Sequence, residues 1–288
     1  MGVFCFYTFG VGWFLTGGRD RLQQPFLTTP TLSSPSGQYG GTRGNSTIRD
    51  TTTNVESGPL SEDTLVDSIF DGKVSFSGRR DTYTNDVDKE YLTITASSRN
   101  LQPINISNWT LRSAVTGKGL TLGAGSFLPY GGRVNSTGAI FLNPGDRAII
   151  ITGRSPFGVS FRLNTCTGYL EQFQDFVPRL PLQCPRAVDE DYTTGINGLN
   201  DACLDFIQTI RRCELKTTLP VALTSACREF VSSQLNYNSC VDNHRDEPDF
   251  LKTEWRIFLN RSDDLWKIKR ETILLIDEKG QTVDSLTY

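Results

Sequence analysis

The chain has 288 residues and a formal net charge of −3. Nucleic-acid-binding proteins usually concentrate Lys and Arg on one face or along one stripe, whereas here these side chains are scattered along the sequence. The length allows one or two domains with a sizeable core. We therefore expect a folded protein that has no nucleic-acid partner.

The first part of the chain is apolar from Val3 to Thr16, and Arg19 and Arg21 end the run. A helix of this length would span about 22 Å, less than the roughly 30 Å of a bilayer's hydrocarbon core. No Lys or Arg precedes the run, so it lacks the basic start of a secretory signal. We expect residues 1–21 to be a membrane anchor whose upstream part is absent from this sequence. A signal-like segment and a buried strand or helix are the alternatives.

Residues 22–67 have a different composition, rich in Thr, Ser, Gly and Pro, as in SSPSG at 33–37. Such a stretch buries too little apolar surface to offset the entropy lost on ordering. We expect it to be a disordered linker. About 40 flexible residues would reach on the order of 35 Å, which is enough to hold a domain clear of a membrane surface.

Strand patterns begin in residues 68–163. In the segment YLTITA the side chains of Leu92, Ile94 and Ala96 share one face at a period of two residues. The segment INISNWTL at 104–111 follows, and its apolar positions slip by one residue before Trp109, which indicates a bulge or tight bend.

A second group of strand signals surrounds an insertion. The turn NPGD at 143–146 precedes AIII at 148–151, a strand that we expect to be covered on both faces. The pattern then stops and resumes in 255–288, where TILLI and TVDSL flank the turn DEKG as a β-hairpin. A lone hairpin is marginal in water, so we expect both parts to form one sandwich. The expected core includes Trp109, Trp266, Ile149, Ile273 and Leu275.

These segments, taken in order, resemble the lamin-tail domain. The resemblance is carried by EYLTI, ISNWTL, LNPGDRAIII and the closing stretch from LW to SLTY. It covers residues 68–163 and 255–288. The family is an immunoglobulin-like β-sandwich found in nuclear lamins and in bacterial envelope and secreted proteins. The resemblance implies a mainly β fold and a binding or structural unit without shared catalytic residues.

Six of the seven cysteines fall within residues 164–254, an insertion that ordinary members of that family lack. An even set of cysteines in one stretch is typical of a disulfide framework, and therefore of an oxidising compartment outside the cytosol. Apolar residues recur at helical spacing over 199–214, and a second helix is expected to begin near Pro220. We expect the sandwich to be interrupted by a disulfide-stapled α-helical hairpin, with Trp255 seating this insert against the sheet.

Helix register favours one disulfide pairing. Contacts across an antiparallel hairpin keep the sum of the two residue numbers nearly constant. This condition favours Cys213–Cys227 and Cys203–Cys240, which leaves Cys166–Cys184 as the third bridge. Each bridge would contribute about 3 kcal/mol. Six cysteines allow other pairings, which register alone does not exclude.

Zinc binding is the sharpest alternative role for these cysteines. Cys240 and His244 have the spacing Cys-x3-His, and Cys227 and Cys213 could complete a tetrahedral site. We prefer disulfides because the sequence has no Cys-x2-Cys knuckle. His244 is the only histidine and lies in a charged stretch without a Gly-x-Ser-x-Gly motif. We therefore expect no catalytic residues, no metal site and no cofactor.

The sequence favours a non-catalytic, membrane-tethered, extracytoplasmic module for binding or scaffolding. The partner would be a protein or cell-surface component, bound through the insert or through the Gly- and Ser-rich loop 113–139. The alternatives are a binding subunit of an envelope enzyme complex and, less favoured, a small secreted hydrolase with the insert as its lid. We expect the N-terminal segment to anchor the protein to the cytoplasmic membrane, with secretion as the second reading.

Overall fold

The computed structural model describes residues 68–288 except Arg79, Asn85, 132–133 and 191–198. The predicted anchor and linker lie outside the described residues. Within the described part of the chain, no helix is both long and apolar enough to cross a membrane. This part contains more strand than helix, so the prediction of a mainly β protein is confirmed.

Twelve strands are formed by the described residues. They are β1 (Val74–Phe76), β2 (Tyr91–Ala96), β3 (Ile104–Asn105), β4 (Thr110–Ser113), β5 (Gly119–Thr121), β6 (Gly125–Ser126), β7 (Phe141–Leu142), β8 (Arg147–Ile151), β9 (Ser160–Asn164), β10 (Leu251–Phe258), β11 (Thr272–Ile276) and β12 (Thr282–Thr287). One sheet has the order β1-β2-β8-β10-β9-β6, a second has the order β12-β11-β4-β5, and β3 pairs with β7.

The two larger sheets share one hydrophobic core. The six-stranded sheet contributes Leu92, Ile94 and Ile150 to it, and the four-stranded sheet contributes Leu111 and Val283. Four of the expected core residues are buried there, namely Trp109, Trp266, Ile273 and Leu275. Residues on both sides of the cysteine-rich insertion therefore build this core together.

Strand β8 is covered on both faces, as its continuous apolar sequence predicts. Ala148 and Ile150 point into the shared core, whereas Ile149 and Ile151 belong to a second cluster on the opposite face of the sheet. β10 lies beside β8 in the parallel direction and pairs with β9 on its other edge. The expected core residue Ile149 is thus buried, but under the insertion.

Trp255 does not have the predicted role. Its side chain is fully buried in the shared core, on the face of β10 that points away from the insertion. Its Nε1 donates to the carbonyl oxygen of Phe141 at 3.1 Å, and its ring meets that of Phe127 with centroids 5.1 Å apart. The cause is the period of two along β10, a strand that begins at Leu251 and so includes residues assigned to the insert by sequence.

The cysteine-rich segment, defined here as residues 165–250, covers the other face of the six-stranded sheet. It contains short 3-10 helices at Thr167–Gln172 and Ala187–Asp189, and the α-helices α1 (Asp201–Gln208), α2 (Ser225–Gln234) and α3 (Tyr237–His244). The inner layer packs on the sheet through Tyr169, Phe176 and Val241, among others. The outer layer, with α1 and α2, has a small core of its own around Ile207 and Val231.

The α-helices are shorter than the sequence predicts. Each begins where an Asn or Thr side chain accepts a backbone N–H: Asn200 caps α1, Thr224 caps α2 and Asn236 caps α3. Pro220 lies in a turn before α2, with the Leu223 N–H bonded to its carbonyl at 3.2 Å. One continuous apolar face is therefore divided among helices and turns.

The disulfides are Cys166–Cys240, Cys184–Cys213 and Cys203–Cys227. The predicted pairs Cys166–Cys184, Cys203–Cys240 and Cys213–Cys227 are wrong. Those pairs require one straight helical hairpin that reaches from 203 to 240. In the structure α1 ends before Cys213, which has a positive φ of 59°. The helical conformation is interrupted again between α2 and α3, and Cys240 lies in α3.

Gly168 explains why the segment can pack so closely around one disulfide. A Cβ at this position would lie 2.3 Å from the Sγ of Cys213 and 2.8 Å from the carbonyl oxygen of Pro181. Both neighbours are held in place, one by a covalent bond and one as backbone. Only glycine allows the 3-10 helix Thr167–Gln172 to approach the Cys184–Cys213 bridge at this distance.

Candidate functional site

Buried charges attach the cysteine-rich segment to the sheet. Glu254 of β10 accepts hydrogen bonds from Arg147 and from Arg256, the latter at 2.8 Å. Arg256 also donates to the carbonyl oxygens of Pro178 and Arg179 in the segment. Burial lowers the pKa of Arg256, and the charge of Glu254 opposes this effect. Removing one partner of such a buried network leaves an uncompensated charge, so these residues position the segment.

A cavity of about 350 Å³ lies along the same junction, and its lining includes Arg147, Asn164, Thr167 and Glu254. Its buried polar groups are bonded within the chain. Asn164 accepts the N–H of Cys166 at 2.9 Å, and the Thr167 hydroxyl donates to the carbonyl oxygen of Asn164 at 2.7 Å. The cavity is therefore a polar seam between sheet and segment.

His244 lies at the end of α3 between two carboxylates. Its Nδ1 is 2.7 Å from Oε1 of Glu247, and its Nε2 is 3.3 Å from Oε2 of Glu190. Burial lowers the pKa of His244, but the hydrogen bonds and charges of Glu247 and Glu190 outweigh it and raise the pKa above its usual value. The three cysteines that could join it in a zinc site, Cys213, Cys227 and Cys240, are in disulfides. The arrangement is that of an ion pair which fixes α3 to Glu190.

Glu90 is a buried carboxyl outside the cysteine-rich segment. Glu90 is 1% exposed, and burial raises the pKa of its carboxyl to about 7. Hydrogen bonds from Thr152 and from the backbone of Leu265 act in the opposite direction, and the charge of Asp264 adds to the increase. The Oε2 atom has no hydrogen-bond partner among the described residues. The folded protein is therefore most stable when the carboxyl of Glu90 is protonated.

Replacing Glu90 with glutamine should stabilise the protein at alkaline pH. The folded state holds the Glu90 proton more tightly than an unfolded chain with a pKa of 4.5. The contribution of Glu90 to the free energy of unfolding is therefore fully present below pH 4.5 and is lost as the pH rises through about 7. The shift corresponds to about 3 kcal/mol.

Urea unfolding at pH 5 and pH 8 measures this effect. Glu90→Gln should gain stability relative to the parent at pH 8 and little at pH 5. The matched control is Glu229→Gln on the exposed side of α2, which should not show a gain confined to pH 8. Equal effects of Glu90→Gln at the two pH values would contradict the assignment.

A groove of about 780 Å³ lies on the cysteine-rich segment. We call it the arginine groove. It is lined by Leu182, Arg186, Ala187, Val188, Gln208, Thr209, Ile210, Arg211 and Arg212. One wall comes from residues 182–188 and the other from the end of α1 and the turn after it.

The two walls of the arginine groove are joined by covalent and hydrogen bonds. The Cys184–Cys213 disulfide links them, and Nη1 of Arg212 donates to the carbonyl oxygen of Cys184. The turn is also held to the 3-10 helix, because the Gln172 amide makes bonds of 2.8 and 2.7 Å with the backbone of Leu215. The groove is thus preformed.

Among the described residues, three arginines and no acidic residue line the arginine groove. Arg186 holds Asp189 through bonds of 2.8 and 2.7 Å, and this interaction, with the nearby charge of Arg212, lowers the pKa of Asp189. Hydrogen bonds from Lys216 and from the backbone of Arg211 lower the pKa of Glu214 to about 2. Both carboxylates therefore remain ionised, and basic side chains outnumber them around the groove.

Part of loop 113–139, the other predicted binding region, packs into the fold. It contains β5 and β6, and Gly125 in β6 lies where a Cβ would come within 2.7 Å of the Trp255 ring. Phe127 packs on the same ring, and the ring of Tyr130 meets that of Tyr237 with centroids 5.8 Å apart.

The sequence did not predict the arginine groove. The adjacent pair Arg211-Arg212, which precedes Cys213, was the signal available for it.

Comparison with known proteins gave no match to a protein-family model and none to a curated protein.

Proposed function

We propose that this protein is a non-catalytic extracytoplasmic module for binding or scaffolding, in which an immunoglobulin-like sandwich of the lamin-tail type presents the cysteine-rich segment to a partner. The observation that carries the proposal is the arginine groove, a preformed concave surface whose walls are cross-linked by a disulfide. Preformed walls reduce the entropy that binding must overcome. The N-terminal segment would tether the module to the membrane.

The three disulfides indicate an oxidising, extracytoplasmic location. A cell-surface or envelope protein is therefore the partner that this compartment offers. The two side chains best suited to acid–base chemistry, His244 and the buried carboxyl of Glu90, do not lie in the groove. His244 is engaged with Glu190 and Glu247, which supports a structural role. Binding is thus the function that the groove supports best.

Site-specific photocrosslinking in intact cells tests this function. A photoreactive phenylalanine would replace Leu182, which is 56% exposed at the groove, and in a matched variant Leu101, which is 92% exposed on the sandwich. We expect one discrete protein adduct from position 182, found with the envelope fraction, and none from position 101. Adducts from position 101 alone, or from neither position, would contradict the proposed binding surface.

A further inference from the structure

We infer that the arginine groove binds an acidic peptide segment of the partner, an extended stretch in which Asp or Glu side chains alternate with an aliphatic anchor. The inference rests on the proposed function and adds the chemistry of the ligand. The charge of the rim, the apolar floor and the fixed geometry of the walls each favour such a ligand.

The rim favours a carboxylate-bearing ligand. Arg186, Arg211 and Arg212 line the groove, and Lys216 follows in the same turn. The side chains of Arg186 and Arg211 are 59% and 85% exposed, so their guanidinium groups remain accessible although each has an acidic neighbour. Guanidinium groups bind carboxylates through paired hydrogen bonds. The local excess of positive charge is opposite in sign to the net charge of the chain, −3.

The floor favours a peptide over a purely ionic ligand. Ala187, Val188 and Ile210 also line the groove; Ala187 and Ile210 are almost fully buried, so the accessible apolar surface comes from the half-buried Val188 and from Leu182, which is 56% exposed. An aliphatic side chain placed on this floor would remove apolar surface from water at about 25 cal/mol per Å². A ligand with both carboxylates and aliphatic side chains uses both parts of the surface.

The walls keep the two parts in a fixed relation. The Cys184–Cys213 bridge and the bond from Arg212 to Cys184 hold the guanidinium of Arg212 beside the floor. Arg186 is fixed by its two bonds to Asp189. A binding surface that is ordered before the ligand arrives loses little side-chain entropy on binding. The segment bound is therefore expected to be selected by its sequence and not by net charge alone.

Fluorescence anisotropy of the oxidised full chain with labelled dodecapeptides tests the inference. The probe repeats Glu-Leu-Asp-Leu; the comparison peptides repeat Gln-Leu-Asn-Leu, which lacks charge, and Glu-Ser-Asp-Ser, which lacks the anchor. We expect saturable binding of the probe and at least about tenfold weaker binding of either comparison peptide. Raising NaCl from about 50 to about 500 mM should weaken binding of the probe, because rim charges are screened.

Charge reversal locates the binding site. The double variant Arg186→Glu with Arg211→Glu should weaken probe binding at least about tenfold. The matched control, Arg228→Glu with Arg245→Glu, makes the same change of charge at exposed positions of this segment outside the groove and should leave binding unchanged. Leu182→Asp, a single change at an exposed position, tests the apolar edge without relying on the double variant's fold. Melting curves confirm that each variant is folded.

The outcomes separate the inference from the proposed function. Equal weakening by the two double variants, equal binding of the serine peptide, or tighter binding of inorganic polyphosphate than of the probe would overturn the inference. A dimer that the groove variant dissociates, detected by sedimentation, would show that a second copy of the chain is the occupant and would also overturn it. If Leu182 yields a crosslinked partner but the probe does not bind, the proposed function stands and the acidic ligand is wrong. If both experiments fail, both proposals fail.

Discussion

Trp109→Ala and Trp255→Ala should each lower the free energy of unfolding by about 3–5 kcal/mol, the usual cost of truncating a buried tryptophan. Both side chains are fully buried in the core shared by the two larger sheets. Trp109 packs against Phe70 with ring centroids 5.1 Å apart, and its Nε1 donates to Glu278 at 2.9 Å. A domain is typically stable by about 5–15 kcal/mol, so either variant should melt far below the parent.

The comparison between the two tryptophans is the informative part of this experiment. A tryptophan that only seated the insert would cost less on truncation, whereas the burial of Trp255 in the shared core predicts effects of similar size. Phe173→Ala is the control, because this aromatic side chain is 60% exposed and its loss should change stability by no more than about 0.5 kcal/mol. Thermal unfolding with intact disulfides gives all three values. A Trp255→Ala protein that melts like the Phe173→Ala protein would contradict the burial of Trp255.

Strands such as β2 and β8 were predictable because their physical cause is local. A period of two places Leu92 and Ile94 on one face of β2, and the continuous run AIII requires cover on both sides of β8. What covers each face is not a local property. The first residues of β10 were assigned to the insert by sequence, and the direction of Trp255 depended on which face of that strand met the other sheet.

The disulfides and the groove were less predictable for a related reason. Helical spacing over 199–214 was satisfied by one short helix and a turn that together bury Cys203, Ile207 and Ile210. The pairing of Cys213 depended on where that turn carried it, which is beside Gly168 and Cys184. The arginine groove lies between residues 182–188 and the end of α1, which are apart in sequence and are linked by this bridge.

Removing the Cys166–Cys240 disulfide should destabilise the protein more than removing Cys203–Cys227. The first bridge joins residues 74 apart in sequence and the second joins residues 24 apart. The intact Cys184–Cys213 bridge shortens the longer loop to about 45 residues, so the loop-closure model gives about 4 kcal/mol for it and about 3.4 kcal/mol for the shorter loop. All four cysteines are fully buried, so paired substitutions to alanine leave comparable cavities and the difference reflects the loops.

The two bridges should also differ in what unfolds without them. Cys166 and Cys240 lie in the cluster that packs on the sheet, so the Cys166→Ala, Cys240→Ala variant should expose amide protons of β8 and β10 to faster exchange. Cys203 and Cys227 belong to the outer cluster, and their loss should increase exchange in α1 and α2 while leaving β8 protected. Hydrogen exchange with mass spectrometry measures both patterns. Equal exchange in β8 for the two variants would mean that the segment is held on the sheet by the Glu254–Arg256 network and its apolar contacts, and not by the longer bridge.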